Sequence, residues 1–259
     1  MSNLSKAFTK GKALITYITL GDPSLSATEK LVLDLVRAGA DIIELGIPFS
    51  DPLADGPVIQ ASHQRALKKN ASLADGFKLV ARLRKKISVP LCFMLSYNLV
   101  YQYGVDKFYK EAARVGLDGV IIPDLPPEEC RMQNAKCRIK EGSGIDTIFL
   151  VAPTSTEERI ELAAKASSGF IYLVSSTGIT GKRKSFAEDL KSLVKKIRRR
   201  SKLPIAIGFG ISGPKQAAEM ARLADGVIVG SAIVDLIAKK RLKAVPKFVA
   251  SLRQAIDAG

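Results

Sequence analysis

Three carboxylates in a proline- and glycine-rich stretch, residues 42–57, are the side chains best suited to do chemistry. Glu44 follows two isoleucines of a predicted strand, and Asp51 and Asp55 lie in the loop after it. An unpaired carboxylate among apolar residues costs roughly several kcal/mol. Glu44 is therefore either held in a salt bridge or directed into a cavity, where it can transfer protons.

Histidine and cysteine offer little further chemistry. The only histidine, His63, falls on a predicted helix, where a solvated or packed side chain is favoured over a Ser-His-Asp triad or a multi-histidine metal site. The three cysteines, Cys92, Cys130 and Cys137, include no Cys-x-x-Cys pair and predict neither a disulfide framework nor a zinc site. Cys92 lies in a predicted strand and is expected to be part of the core.

Strands and helices alternate along the chain. Apolar and β-branched runs predict eight strands, at residues 13–19, 41–45, 89–95, 119–122, 147–152, 170–174, 204–207 and 226–229. Helical periodicity and capping residues predict helices between them, at residues 25–38, 58–69, 73–87, 105–115, 186–199, 214–223 and 246–258, with further helix starts at residues 126–129 and 154–158. A further short helix is expected at residues 230–234.

The predicted strands are mostly purely apolar, which indicates that both of their faces are buried. We therefore predict an α/β fold, a single (β/α)8 TIM barrel with extra short helices, over residues 1–259; an open doubly wound sheet is the alternative. About 250 residues is a normal length for such a barrel. Functional residues of this fold lie at the carboxyl ends of the strands, where Glu44, Asn98 and Asp124 are found.

Glycine-rich segments follow the last two strands. Residues 208–213 fit the G-x-G-x-x-G pattern of dinucleotide-binding proteins, but the acid expected about 20 residues later is missing, because Asp225 comes earlier and begins a strand. A phosphate site fits better, since backbone N–H groups and the N-terminus of a short helix bind phosphate at this place in a barrel. Gly230 and Ser231 would begin such a helix. Glycines that only form tight turns are the alternative.

The segment 175–184 is long for a connection in a barrel. Its small residues come first and its basic residues last, a composition typical of a lid over an anionic substrate, although a disordered loop would share it. Gly178 and Gly181 would be flexible points in either case.

The net charge of +15 raises the question of nucleic-acid binding. The densest basic run, residues 195–202, closes a predicted amphipathic helix, where the helix dipole favours cations. No aromatic residues are interleaved with it, so nucleic acid is not the expected partner. Phosphorylated small molecules or an acidic protein would suit the charge equally well.

The sequence also bears on location. It contains no apolar run near the roughly 20 residues of a membrane-spanning helix. Its N-terminus lacks the apolar core of a secretory signal. We expect a cytoplasmic protein, or one of an organellar stroma after removal of a transit peptide.

Several motifs carry a resemblance to a known family. Residues 44–57 read Glu-Leu-Gly-Ile-Pro-Phe-Ser-Asp-Pro-Leu-Ala-Asp-Gly-Pro, and the further motifs are residues 172–175 with 177–181, 208–212 and 230–232. With these motifs in this order, the chain resembles the tryptophan synthase alpha subunit family along nearly its whole length. It departs from the family pattern at Ser96, where tyrosine is usual, and at Leu99, where proline is frequent.

The resemblance implies a lyase of tryptophan biosynthesis that needs no cofactor and cleaves indole-3-glycerol phosphate by a retro-aldol reaction to indole and glyceraldehyde 3-phosphate. It implies proton transfer by Glu44, a hydrogen bond from the indole N–H to Asp55 and an active-site position for Tyr172. The other matches are Tyr17, Leu150, Thr180 and Phe209 for substrate binding, and Gly181, Phe209, Gly210, Gly230 and Ser231 for phosphate binding.

The resemblance also implies a partner, a pyridoxal-phosphate-dependent tryptophan synthase beta subunit, in an alpha2beta2 complex. Pro48 and Asp51 lie on the loop that resembles the subunit contact. Two alternatives stay open: a stand-alone lyase that releases indole, and a weakly catalytic chain that activates the beta subunit.

Overall fold

The computed structural model describes residues 2–52, 55–130, 143–175, 183–208 and 210–259, without the side chains of residues 130 and 183–186. Its strands are β1 (Ala13–Thr19), β2 (Ile42–Gly46), β3 (Leu91–Met94), β4 (Gly119–Ile121), β5 (Asp146–Ile148), β6 (Leu150–Val151), β7 (Ile171–Val174), β8 (Ile205–Gly208) and β9 (Gly226–Val229). Its α-helices are α1 (Asn3–Lys6), α2 (Leu25–Arg37), α3 (Pro57–Leu67), α4 (Leu73–Leu83), α5 (Tyr97–Tyr103), α6 (Val105–Val115), α7 (Glu157–Ala166), α8 (Arg183–Arg198), α9 (Pro214–Ala221), α10 (Ser231–Ala238) and α11 (Ala244–Asp257).

The strands form one parallel sheet in the order β5-β4-β3-β2-β1-β9-β8-β7-β6. Its two ends meet at Phe149, because β5 and β6 are the halves of one barrel strand: β5 pairs with β4, and β6 pairs with β7. The sheet therefore closes on itself as a barrel of eight strands. This confirms the predicted TIM barrel over the open doubly wound sheet.

Side chains alternate between the inside of the barrel and the surrounding helices, as strands buried on both faces require. In β1, Ile15 and Tyr17 belong to the inner cluster, whereas Leu14 and Ile18 pack with the helices. Glu44 stands in register with Tyr17 on the neighbouring strand. The alternation therefore turns the Glu44 carboxylate into the barrel.

Two helices are absent from the sequence prediction. α1 lies at the base of the barrel, where Leu4 is fully buried. α5 begins beside Asp124, whose carboxylate accepts hydrogen bonds from the Tyr97 N–H and the Ser96 hydroxyl. Gly104, with a φ of 89°, then separates α5 from α6. Both helices depend on contacts with distant parts of the chain, which local periodicity does not contain.

Three aspartates at strand starts form what we call the base clamps. Each carboxylate accepts the N–H of a residue near the start of the neighbouring strand and pairs with an arginine, and such charge-assisted bonds are among the stronger ones in proteins. The sets are Asp41 with Leu14 and Arg253, Asp118 with Leu91 and Arg84, and Asp225 with Ile205 and Arg198. The clamps fix neighbouring strands at the end of the barrel opposite to the loop that follows Glu44.

The basic run that the sequence shows lies on one of the outer helices, α8. The basic run, residues 195–202, lies at the end of α8, and three of its cations have acidic partners: Lys196 and Arg200 with Glu157, and Arg198 with Asp225. These pairs neutralise part of the run.

Across the described ranges, no helix has both the length and the apolar composition that crossing a bilayer would need.

Candidate active site

Glu44 lies inside the mouth of the barrel, between Tyr17 of β1 and Cys92 of β3 in register. It is 1% exposed, and neither carboxylate oxygen has a hydrogen-bond partner among the residues that the structure describes. Burial, with the charge of Asp55 as a smaller cause, raises the pKa of Glu44 to about 8. Glu44 is therefore a protonated acid at neutral pH, directed into the barrel instead of being paired in a salt bridge within the described residues.

This buried acid makes stability depend on pH. The ordinary pKa of Glu44 is 4.5, whereas the folded chain keeps its proton up to a pH of about 8. Its contribution to the free energy of unfolding is complete below pH 4.5 and is lost as the pH rises to about 8, at about 1.4 kcal/mol per pH unit. We expect Glu44→Gln to escape this loss, so that its melting temperature exceeds that of the wild type by a margin that widens from about pH 5 to about pH 8.

Thermal unfolding at the two pH values measures that margin. Glu219→Gln, which changes an exposed acid on α9, is the matched control and should follow the wild type at both. A margin that stays constant with pH would show that Glu44 titrates normally in the folded chain.

Asp55 lies in the loop between β2 and α3. Its N–H donates to the carbonyl of Pro52 at 3.1 Å, and its own carbonyl accepts the side-chain amide of Gln60 at 2.8 Å. The Asp55 side chain is 14% exposed, and burial raises its pKa to about 6. At neutral pH Asp55 is thus mainly ionised while Glu44 is mainly protonated. Carboxyl groups whose environments set their pKa values apart can serve as acid and anion in one site.

Two buried tyrosines, Tyr17 and Tyr172, fill the barrel beside these acids. Each packs against a glycine: a Cβ on Gly46 would lie 2.0 Å from Tyr17 Oη, and a Cβ on Gly208 would lie 2.6 Å from Tyr172 Oη. Any larger residue at either strand end would displace a ring. Burial raises the pKa of both phenols well above the ordinary value, so both stay neutral.

His63 lies at this site although the sequence did not predict it there. Its side chain is packed, which is one of the two predicted environments, solvated or packed. Its ring also contacts Tyr17 and lies near Asp55: Nε2 is 3.1 Å from Tyr17 Oη and 3.7 Å from Asp55 Oδ2. Its spacing contains a signal for burial, because Ile59, Ser62, His63 and Ala66 form the buried stripe of α3 at intervals of three and four residues. Because Ser62 and His63 are polar, a search for apolar residues at helical spacing does not find this stripe.

A cavity of about 620 Å³ opens beside Asp55 and extends toward the last two strands. Tyr17, Asp55 and Tyr172 line one part of it, and Gly210, Gly230 and Ser231 line another. α10 begins there at Ser231, with Gly230 in the N-cap position, so its first N–H groups point toward the cavity. Unpaired donors and the helix dipole together suit a phosphate group.

A second cavity, of about 280 Å³, meets the first at Tyr17, Asp55 and Met94. Most of its wall is apolar, contributed by Ile47, Phe49, Met94, Leu95 and Pro123. The rim includes Ser96, whose hydroxyl donates to Asp124 at 2.6 Å. A flat aromatic group fits this apolar space, with one polar edge toward Asp55.

The remaining predicted site residues lie in β6, in the β2–α3 loop and outside the described residues. Leu150 stands in register with Tyr172 and packs against the inner cluster. Asp51 is exposed and accepts the Ser50 hydroxyl at 2.5 Å. Thr180, Gly181 and Phe209, with most of the predicted lid at 175–184, lie outside the described residues.

The whole chain is similar to proteins of one family. The family model for the tryptophan synthase alpha chain matches residues 4–256. The tryptophan synthase alpha chain of Citrifermentans bemidjiense is 48% identical over 252 residues, 96% of this chain and 93% of that one, and that of Dehalococcoides mccartyi is 48% identical over 258 residues, 99% of this chain and 100% of that one. The crystal structure of tryptophan synthase subunit alpha from Legionella pneumophila str. Paris has a TM-score of 0.91 at 38% identity, covering 100% of both chains. The chain therefore belongs to the tryptophan synthase alpha chain family.

Proposed function

We propose that this chain carries out the lyase reaction of its family at the barrel mouth, with Glu44 and Asp55 as its catalytic acids. The reaction cleaves indole-3-glycerol phosphate to indole and glyceraldehyde 3-phosphate, a step of tryptophan biosynthesis. The observation that carries the assignment is the pair of carboxyls at the mouth, the buried Glu44 and the partly buried Asp55, with pKa values of about 8 and about 6. Proton transfer and charge stabilisation need one protonated and one ionised group at the same pH, and this pair supplies both.

The two cavities give the substrate one orientation. Its indole ring lies in the apolar cavity, with the ring N–H donating to the Asp55 carboxylate. Its phosphate accepts hydrogen bonds from the first turn of α10 and from the Ser231 hydroxyl, and Gly210 and Gly230 let the backbone approach it closely. The glycerol chain then crosses the mouth beside Tyr172, within reach of Glu44.

Glu44 supplies both proton transfers. As the protonated acid it donates to C3 of the indole, and the Asp55 carboxylate stabilises the positive charge that develops on the ring nitrogen. The Glu44 carboxylate then accepts the proton of the C3′ hydroxyl. The C3–C3′ bond breaks, its electron pair passes to the indole ring, and glyceraldehyde 3-phosphate leaves. The proton that Glu44 gains replaces the one that it donated, so the enzyme is regenerated.

We further propose that the chain assembles with a tryptophan synthase beta subunit as an alpha2beta2 complex and that it passes indole to this partner. The exposed Asp51 and the buried Pro48, three residues before it, lie on the same β2–α3 loop as Asp55. A partner bound to this loop would therefore influence the position of an active-site acid.

Steady-state cleavage of indole-3-glycerol phosphate, measured with and without a bacterial tryptophan synthase beta chain, tests these proposals. We expect indole and glyceraldehyde 3-phosphate in equal amounts, a higher rate with the beta chain, and a complex of both chains in light scattering. Absence of indole under both conditions would contradict the lyase assignment. A rate that the beta chain does not change, with no complex formed, would instead support a stand-alone lyase.

A further inference from the structure

A continuous line of hydrogen bonds connects the loop after β2 to helix α3 through the barrel mouth. Its successive contacts are Phe49 N to His63 Nδ1 at 3.1 Å, His63 Nε2 to Tyr17 Oη at 3.1 Å, Tyr17 Oη to Thr19 Oγ1 at 3.3 Å, Thr19 Oγ1 to Ser62 Oγ at 2.6 Å, and Ser62 Oγ to the Ile59 carbonyl at 2.6 Å. Its four side chains, those of Tyr17, Thr19, Ser62 and His63, are buried. We call this line the mouth chain.

The far end of the mouth chain fixes its proton order. The Ile59 carbonyl can only accept a hydrogen bond, so the Ser62 hydroxyl donates its single proton to it. Ser62 must therefore accept a hydrogen bond from Thr19. Thr19 then has to accept from Tyr17, and Tyr17 in turn has to accept from His63. The His63 Nε2 atom must therefore carry a proton.

The near end gives the same result independently. The Phe49 backbone N–H only donates, so His63 Nδ1 must be an unprotonated acceptor. A neutral imidazole that accepts at Nδ1 carries its proton on Nε2. Burial also lowers the pKa of His63, which favours the neutral ring at pH 7. Both ends thus select the Nε2–H tautomer.

That tautomer has a consequence for Asp55. His63 Nε2 lies 3.7 Å from Asp55 Oδ2, too long for a hydrogen bond but close enough for the N–H dipole to act on the carboxylate. With the proton on Nε2 the dipole attracts the ionised form of Asp55; with the proton on Nδ1 a ring lone pair would repel it. Among the residues that the structure describes, the polar groups in contact with the ring are Asp55, the Tyr17 hydroxyl and the Phe49 N–H.

We propose that His63 is a positioning residue for the cleavage reaction, held as the neutral Nε2–H tautomer so that it orients Tyr17 and keeps a partly positive N–H group, whose nitrogen lies 3.7 Å from Asp55 Oδ2, beside that carboxylate. This inference rests on the proposed role of Asp55 as the anion that accepts the indole N–H. The tautomer itself is a property of the folded chain and can be measured without the reaction.

Nitrogen NMR of the imidazole tests the tautomer directly, because His63 is the only histidine in the sequence. The protein is prepared without a histidine tag and labelled with ¹⁵N. We expect one protonated nitrogen, Nε2, and one unprotonated nitrogen, Nδ1, at pH 7. An Nδ1–H tautomer or an imidazolium would overturn the inference.

Two substitutions distinguish the contribution of Nδ1 from that of Nε2. In His63→Asn the amide oxygen can replace Nδ1 as the acceptor for Phe49, but nothing reaches Tyr17. In His63→Gln the longer amide can donate near the Nε2 position, while the contact with Phe49 is lost. We expect Asn to lower kcat by about tenfold, the effect of one hydrogen bond of ordinary net strength, and Gln to retain most of the rate.

The controls distinguish a positioning role from a folding role. Gln64→Asn, an exposed change at the next position of α3, should match the wild type, and thermal unfolding shows whether each variant is folded. If folded His63→Asn cleaves at the wild-type rate, or no more slowly than His63→Gln, the inference fails and the proposed function stands. If the wild type itself does not cleave the substrate, the proposed function fails, and the role of His63 in it fails as well.

Discussion

The Glu44→Gln variant is expected to cleave indole-3-glycerol phosphate about a thousandfold more slowly than the wild type while remaining folded. Glutamine has nearly the shape of a protonated glutamic acid, and no partner of the Glu44 oxygens within the described residues is lost. An amide cannot donate a proton to the indole ring or accept one from the C3′ hydroxyl. Both transfers would then depend on water, which the buried position excludes.

Single-turnover cleavage with enzyme in excess is the appropriate measurement, because it reports the chemical step and not product release. Glu219→Gln should keep the wild-type rate, since that side chain is exposed on α9. Substrate binding by Glu44→Gln, measured in the same preparation, should change little. Near-normal turnover in this variant would mean that another group moves the protons.

The Asp55→Asn variant is expected to lose about a hundredfold in kcat/KM. Its amide oxygen can still accept the indole N–H, so the ring keeps its place in the apolar cavity. The lost negative charge matters most when positive charge develops on the ring nitrogen, and the effect should therefore appear mainly in kcat. Asp106→Asn, an exposed change in the first turn of α6, is the control. A variant that loses substrate affinity but keeps kcat would limit Asp55 to binding.

The pH profile gives this prediction a second test. Asp55 must be ionised and Glu44 protonated at the start of the reaction, so kcat/KM of the wild type should rise through a pH of about 6 and fall through about 8. Asp55→Asn should abolish the acidic limb. It should also move the basic limb to lower pH, because the Asp55 charge is one cause of the raised pKa of Glu44. An acidic limb that persists in the variant would assign it to another group.

The strands of this barrel were predictable because each is a short apolar run between polar segments. The strand at residues 147–152 was predicted as one element, whereas its pairing changes at Phe149, where the barrel closes. Closure is a property of the whole sheet, and no local pattern encodes it. α5 was missed for a similar reason: aromatic residues make its sequence a poor helix former, and Asp124, from another loop, accepts the N–H of its first residue.

The site was predictable in part. An acid at the end of an apolar strand predicted that Glu44 is either paired or directed into a cavity, and the structure places it inside the barrel without a partner among the described residues. The separate roles of Glu44 and Asp55 come from the resemblance to a family and stay a prediction. The hydrogen-bond partners of His63 could not be predicted from local sequence, since Phe49 is 14 positions away and Tyr17 is 46 positions away along the chain. Burial of His63 follows from helical spacing, whereas its hydrogen bonds follow only from the folded barrel.

The base clamps bear on how a protein of this kind can change its chemistry. Asp41, Asp118 and Asp225 hold neighbouring strands through contacts that include no residue of the mouth. Asp55 belongs to a loop and Glu44 is the central residue of β2, on the inside of the barrel, so altering the loops around them leaves the strand anchors in place. Aspartate thus secures the scaffold at one end of the barrel and, in the proposed mechanism, stabilises charge at the other. Substitutions at the mouth can therefore change which substrate binds, while the contacts at the base maintain the fold.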